Sequence, residues 1–391
     1  MKLLKNLTIT SILFTTAIYA GGFDNSYHPD AIYFGDSRVE GSVGWTEVNV
    51  VGDLVSGGVA KTTNDIYVQK VSPVGGARYM ITPKIGCSIQ TQKPYRANTR
   101  YDQGIYPGMP TYSSLETQLD SIGCGYTVAA SDLASVQFIA GVNRMNGYGG
   151  FGTDIDANGT TTEVRNLKFK EGYFGMFGLG YEIPDYALRV SAMYYPEFKT
   201  TASGQAALQV NGVDAQVVDA QVSTMVVSPQ RLQVYLQSGV HPKWLVFLGY
   251  IYAQWKSVPS LNVVFSSPIT LGSSQLPGAS TTLFQDDAHY FYFGFGHMLT
   301  KTIKLTSGLF YEPQRDNPVS GIRTPSRGGV VSGMFGASYD VNSRLSLGSR
   351  CSFIRADPAN VVYTTFLSTS VTGDFPASHG RKLMIYGEYK L

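Results

Sequence analysis

The chain closes on Arg381-Lys-Leu-Met-Ile-Tyr-Gly-Glu-Tyr-Lys-Leu391. Leu383, Ile385, Gly387, Tyr389 and Leu391 share one parity, and Lys382, Met384, Tyr386, Glu388 and Lys390 share the other. Successive side chains of a strand point to opposite faces, so this pattern sets an apolar solvent against a polar space. A terminal strand with aliphatic and aromatic residues outward reads as the closing strand of an outer-membrane barrel, and the rest of the chain must then supply the other strands.

Composition and compartment agree with that reading. The chain opens Met-Lys-Leu-Leu-Lys, passes through Ile12-Leu13-Phe14 and reaches Ala17-Ile-Tyr-Ala20 before Gly21. A basic start, a short apolar run and an Ala-x-x-Ala end predict a secretory signal over residues 1–20. Lys2 and Lys5 are its only charges, so removing these two of the 30 Lys+Arg leaves 28, balancing 28 Asp+Glu. A balanced chain carries no nucleic-acid footprint. Past the leader no run of about 18 apolar residues occurs, which excludes a transmembrane helix. With 26 Tyr, 20 Phe, 43 Gly and only 15% charged residues, the chain is aromatic-rich and charge-poor for a soluble protein and suits a barrel with aromatic girdles.

The connections carry the count. Six tight turns are predicted at Thr82-Pro83-Lys84, Ser131-Asp132-Leu133, Ile183-Pro184-Asp185, His241-Pro242, Leu299-Thr300-Lys301 and Val341-Asn342-Ser343. Between them lie seven longer polar or Gly/Pro/Ser-rich connections, near 52–64, 93–116, 146–167, 198–221, 258–283, 313–329 and 358–379. Six short and seven long connections, strictly alternating, join fourteen strands. An even strand number with short turns on one side and long loops on the other is the organisation of a bacterial outer-membrane barrel.

Single strands extend the argument. In Trp244 to Lys256, one parity carries Leu245, Phe247, Ile251 and Trp255, and the other ends in Tyr250, Tyr252, Gln254 and Lys256. The polar end of the second set assigns it to the lumen and places Trp244 and Trp255 in girdles. His297 shares parity with Phe291, Phe293 and Phe295, which makes it a girdle residue on the lipid face. Cys87, Cys124 and Cys351 stand in strand-like contexts with none of the spacings of metal sites. They read as small buried or lipid-facing residues, with a Cys87–Cys124 bridge between neighbouring strands as the alternative.

Several phrases resemble the FadL/TodX-type outer-membrane transporters of long-chain fatty acids and other hydrophobic molecules. They are Gln92-Lys-Pro-Tyr-Arg-Ala-Asn-Thr-Arg-Tyr101, Tyr186-Ala-Leu-Arg-Val-Ser-Ala-Met-Tyr-Tyr195, Leu248-Gly-Tyr-Ile-Tyr-Ala-Gln-Trp-Lys-Ser257, and Leu309-Phe-Tyr-Glu-Pro followed by Arg323-Thr-Pro-Ser-Arg327. The resemblance spans nearly the whole mature chain in the family's order. It implies a fourteen-stranded barrel, an N-terminal hatch folded into the lumen, and a lateral path to the bilayer. Only Gly21-Gly-Phe-Asp-Asn-Ser-Tyr-His28 precedes Pro29-Asp-Ala31, so the hatch is short, and the chain ends on Leu391 where the family more often has Phe.

A carrier of fatty acids needs an apolar slot with few polar anchors. Lys256 by strand parity, and Arg315 and Arg323 by loop position, are the candidate carboxylate anchors. The segment from Gly21 to Phe34 is the candidate gate: Gly21 and Gly22 allow insertion, and Phe23, Asp24, Tyr27, His28 and Phe34 face the ligand; a frayed terminus is the alternative. Met384 and Tyr386 are expected to line the lumen, and Val263-Val-Phe265 and Ile269-Thr-Leu271 to form an apolar landing groove. The glycines of Gly175-Met-Phe-Gly178-Leu-Gly180 lie in a strand pattern and make no nucleotide loop. Five dispersed His give neither a metal set nor a catalytic constellation, so no metal, cofactor or enzymatic activity is expected.

The expected architecture is all-β: a transmembrane antiparallel β-barrel of 14 strands with a short N-terminal lumenal hatch. Residues 1–20 form the signal, 21–36 the hatch and 37–391 the barrel in the bacterial outer membrane. The expected function is passive uptake of hydrophobic molecules, long-chain fatty acids first among them, with lateral release. The expected partners are that ligand and outer-membrane lipid or lipopolysaccharide. The alternatives are an adhesin or structural protein with ligand-binding loops, and a small-solute porin.

Overall fold

The computed structural model describes residues 33–391 apart from 57–58, 64–69, 101–109, 130, 132, 155–158, 258–259, 283–285, 315–328 and 365–369. Among the described residues fourteen strands form one closed antiparallel ring. They are β1 (Arg38–Asn49), β2 (Lys70–Met80), β3 (Ile85–Gln92), β4 (Pro110–Ala129), β5 (Ser135–Asp154), β6 (Thr160–Ile183) and β7 (Leu188–Tyr195). The second half comprises β8 (Arg231–His241), β9 (Trp244–Ala253), β10 (Ala288–Met298), β11 (Ile303–Glu312), β12 (Val330–Asp340), β13 (Leu345–Ala356) and β14 (Ser378–Lys390). β14 pairs with β1 in the register Val39↔Tyr389 and Trp45↔Leu383. The Leu391 amide donates to the Ser37 carbonyl at 3.1 Å. Closure pairs the strand edges that would otherwise face lipid, where an unpaired amide has no water to bond, except along the upper part of β2.

The short turns sit where the sequence predicts them, and several share one device. Thr82 Oγ1 accepts from the amides of Lys84 and Ile85 at 3.2 and 3.0 Å. Thr300 Oγ1 accepts from Thr302 and Ile303 at 3.2 and 2.9 Å, and Asn342 Oδ1 accepts from Arg344 and Leu345, both at 2.8 Å. A side-chain oxygen that bonds the next backbone amides reverses the chain without a long loop.

The alternation of β14 is observed directly: Ile385 is 63% exposed and Met384 is 2% exposed. The same division runs round the ring, with Val43, Ile122, Phe138, Phe177, Leu248, Phe293, Phe335 and Phe353 outward. This continuous apolar band is the lipid-facing surface of an outer-membrane barrel.

The long connections differ from their predicted form. Residues 146–167 and 198–221, expected as loops, are largely strand. β5 and β6 run for 20 and 24 residues, well beyond the apolar band. A hairpin of Phe198–Val210 and Val213–Ser228 pairs with the top of β6, and a second, Ser260–Leu271 with Ser274–Thr282, joins its outer edge. Gly52–Ser56, Val59–Thr63, Ala359–Thr364 and Ser370–Phe375 form a separate sheet. Strands outside the membrane need no lipid-facing apolar parity, so their Thr, Ala, Gln and Ser read as loop composition.

Two further points depart from expectation. Cys87 stands opposite Cys124 in the β3–β4 register, with Cα atoms 4.0 Å apart, and the two form a disulfide; Cys351 is a free thiol. On β9 the parity is the reverse of that assigned from sequence. Leu245, Phe247 and Ile251 are the buried, inward residues, and Trp255 is inside with them. Only Trp244 belongs to a girdle, its ring 4.2 Å from that of His297. Alternation separates two faces without saying which is lumenal, and here the lumen is itself apolar at this height.

Candidate functional site

The interior has two halves. Towards the long-loop side, one continuous cluster of buried apolar residues fills the inner face. Leu119, Met145, Ile251, Tyr290, Phe310 and Ile354 reach it from β4, β5, β9, β10, β11 and β13. The extracellular hairpins add Phe198, Val222, Val263, Phe265 and Ile269. The predicted landing residues thus face inward, whereas Val264 is 59% exposed on the outer side.

Tyr95 stands within this cluster because the wall is interrupted beside it. β2 and β3 pair only from Val74↔Gln92 down to Met80↔Gly86. Beyond Gln92↔Leu119 the chain bulges through Lys93-Pro94-Tyr95 and continues along β4 from Arg96↔Glu116, one residue out of the earlier register and no longer paired with β2. The upper part of β2 keeps β1 as its ladder partner, and on its other side the Arg96 guanidinium donates to the Val71 carbonyl. A side chain there takes the place of a backbone ladder. Lys93 and Arg96 both pair with Glu116, the latter at 2.9 Å. Inside, Tyr95 packs edge-on against Trp255, accepts a hydrogen bond from Arg231 at 2.8 Å, and lies 3.0 Å from Ser228 Oγ. Just below the break, on the outer face of β2–β5, lies a groove of about 630 Å³, lined by Gly75, Gly76, Ile89, Ile122 and Val142 among others.

At the short-turn side the lumen is more polar. Arg38, Glu40, Arg78, Ser88, Gln90, Gln137, Thr306 and Glu388 are buried there. The chain ahead of β1 enters at this end. Tyr33 and Phe34 are fully enclosed and pack with Ile139, Met176, Met193 and Tyr195. Gln137 Nε2 donates to the Tyr33 carbonyl at 3.0 Å, Arg38 to the Phe34 carbonyl at 2.6 Å, and Arg78 to the Gly35 carbonyl at 2.9 Å. Two wall glycines make the room. A Cβ on Gly180 would stand 2.2 Å from the Phe34 ring, and one on Gly123 2.9 Å from the Tyr33 ring. The Arg189 guanidinium lies over Phe34 at 4.9 Å.

Of the residues singled out from sequence, Phe34 is buried at the short-turn end, and Met384 and Tyr386 are buried on the inner parity of β14. Gly21, Gly22, Phe23, Asp24, Tyr27 and His28, and also Arg315 and Arg323, lie outside the described residues. Lys256 is not brought into the lumen: it sits in a 3₁₀ turn past the end of β9, 58% exposed, with Asp287 at 3.0 Å. Arg350 and Lys382, not singled out beforehand as anchors, project inward from adjacent strands, with Ser352 opposite Lys382. The parity of Arg381–Leu391 already places Lys382 inside, so the same alternation could have found it.

No family model matches the chain, and no curated protein sequence matches it. Solved structures do. A Pseudomonas aeruginosa FadL homologue superposes with a TM-score of 0.73 at 14% identity, covering 97% of this chain and 96% of that one. The fold is that of the FadL-type barrels. The Ralstonia pickettii toluene transporter TbuX gives 0.63 at 17% identity over 98% and 100% of the two chains. The P. putida toluene transporter TodX gives 0.63 at 13% over 93% and 92%. These superpositions show a FadL-type fold, and the cargo is argued from this chain's own residues.

Proposed function

We propose that this barrel carries hydrophobic molecules across the outer membrane, with long-chain fatty acids as the first candidate. The observation that carries the reading is the wall break at Gln92–Arg96, where the β2–β3 ladder ends beside the apolar upper lumen and just above an apolar groove on the outer face of β2–β5. A hydrophobic solute enters between the extracellular hairpins and desolvates against the inner cluster. It then passes Tyr95 and leaves sideways between β2 and β3. Overall transfer from water into hydrocarbon is favourable by about 0.8 kcal/mol per buried CH₂, so no energy source is required. Arg350 and Lys382 supply the two positive charges that would orient a carboxylate head group. Tyr33 and Phe34, held by Arg38 and Arg78, keep the short-turn end closed to ions. Two of the structural neighbours are toluene transporters, which supports the solute class.

The test locks the break. In a Cys351→Ser background, Val71→Cys with Arg96→Cys is joined by a short bis-maleimide, and uptake of labelled oleate is compared with the same protein capped by a mono-maleimide. Uptake lost only in the cross-linked form supports lateral exit. Equal uptake in both forms rejects it, and a large steady ionic current from the wild-type protein in planar bilayers would favour a porin instead.

A further inference from the structure

The outward face of β4–β6 changes character just above the apolar band. Below that level Ile122, Phe138, Val142 and Phe177 face the bilayer. Above it opens a second cavity of about 1470 Å³ between the tops of β4, β5 and β6 and the first extracellular hairpin. Arg144, Arg165, Lys168 and Lys170 line it, together with Tyr148, Ser203 and other hydroxyl and amide side chains. Not all of that charge is available. Arg144 is held by Asp120 at 3.5 Å and Glu171 at 2.6 Å, and Arg165 by Asp214 at 2.5 Å. Lys168 and Lys170 have no ion pair among the described residues, and both are exposed. Neighbouring Lys199 is paired with Glu197 at 2.7 Å. The cavity therefore presents two ammonium groups without an ion pair among the described residues, and its four cations outnumber the three carboxylates that hold the arginines by one.

Its position decides what could occupy it. Arg144 also lines the apolar groove of about 630 Å³ beneath, together with Tyr173. The two cavities are thus contiguous at one residue: an apolar trough at bilayer depth, then a cationic, hydroxyl-rich pocket where the head groups of the outer leaflet lie. An occupant needs acyl chains below and anionic, sugar-like polarity above. We infer that the outer face of β4–β6 is a binding site for a phosphorylated glycolipid of the lipid A kind, with Lys168 and Lys170 on a phosphate and an acyl chain in the groove under Arg144. The ammonium groups form charge-assisted hydrogen bonds to phosphate oxygens, and the hydroxyl side chains around the pocket meet the sugar. The site lies on the outside of the barrel and does not depend on what passes through the lumen.

The experiment uses the full-length protein in detergent micelles. Native mass spectrometry counts bound lipid with hexa-acylated bisphosphoryl lipid A, with the same lipid after phosphatase treatment, and with phosphatidylethanolamine. Bisphosphoryl lipid A is expected to bind about tenfold more tightly than either of the others. Lys168→Glu with Lys170→Glu should remove that preference, and Lys168→Arg with Lys170→Arg should retain it. Retention of the heat-modifiable, folded band on gels keeps the comparison interpretable, since both lysines are exposed and unpaired. Equal binding of the dephosphorylated lipid, unchanged binding by the Glu variant, or full competition by inorganic phosphate at equal concentration would each overturn the assignment. Oleate uptake in the Glu variant reads the transport proposal separately.

Discussion

The two ends of the lumen are built from the same strands yet follow opposite rules. Towards the extracellular side, inward positions carry Ile251, Tyr290, Phe310 and Ile354; towards the short turns they carry Arg38, Gln90, Gln137, Thr306 and Glu388. In β13 the change happens within a few residues, from Ile354 through Ser352 to Arg350. A uniform polar lumen would serve a water-filled pore, and a uniformly apolar one would hold its ligand without a direction of travel. At β3 and β4 the boundary between the halves sits where the β2–β3 ladder stops, between Gln90 and Leu119, so on the proposed route a solute carried down the apolar half would meet polar walls at the level of the break.

Breaking the contrast should have the largest effect in the apolar half. Ile251→Glu places an unpartnered polar group in the inner cluster, a change that costs about 2–7 kcal/mol when nothing bonds it. Oleate uptake should fall by more than about tenfold. Ser88→Glu, the same chemistry in the polar half beside Arg78, should stay within about twofold of wild type. Equal losses would show that the two halves do not differ in function. A smaller effect is expected at the lower end. Gly180→Val forces a methyl into the Phe34 ring and should cost about 1–3 kcal/mol of stability. The relief of that clash is withdrawal of Phe34, so single-channel conductance should rise. Unchanged conductance with normal folding would mean that Tyr33 and Phe34 do not form the seal.

The barrel was legible because lipid imposes a rule on every strand: outward residues must be apolar and every amide must be paired. That rule made the turns and the count of fourteen readable from local composition alone. The same rule is silent about the lumen. On β9 both parities are apolar or aromatic, so the polar tail Gln254 and Lys256 pointed to the wrong face, although these residues lie beyond the strand. The extracellular hairpins carry no lipid constraint and passed for loops. Tyr95 was noticed within a phrase, but its inward turn depends on a one-residue slip between Gln92↔Leu119 and Arg96↔Glu116, which only the pairing reveals. Arg350 was missed because a single inward arginine in a Ser-rich strand looks like ordinary lumen solvation.

Charge at the boundary offers a finer test. Arg350→Ala with Lys382→Ala should raise the half-saturating concentration for oleate about tenfold while leaving toluene uptake unchanged, because only the carboxylate uses the cations. Rescue by Arg350→Lys would show that charge, rather than the packing of Arg350 on Tyr386, is what the ligand senses. A parallel loss for both solutes would assign the pair a structural role.

The smallest expected effect concerns what docks the first extracellular hairpin on the wall. The first hairpin leans on β6 through Arg165, whose guanidinium meets both Asp214 oxygens at 3.2 and 2.5 Å, and Gln209 donates to the same carboxylate at 2.9 Å. Hydrogen bonding from Arg165 first, and from Gln209 second, holds the Asp214 carboxyl below its ordinary range. A carboxyl depressed in the docked state binds its proton more readily when undocked. The docking contribution is therefore complete above the ordinary Asp value and is lost as pH falls through the depressed one. Hydrogen exchange over residues 198–228 should be flat from neutral pH down to the ordinary carboxylate range and quicken only below it, after correction for intrinsic rates. Asp214→Asn should show the faster exchange at every pH and abolish the dependence. The pair is exposed, so salt should mimic acid in part, and an exchange profile insensitive to both would leave the hairpin held by its apolar inner face alone.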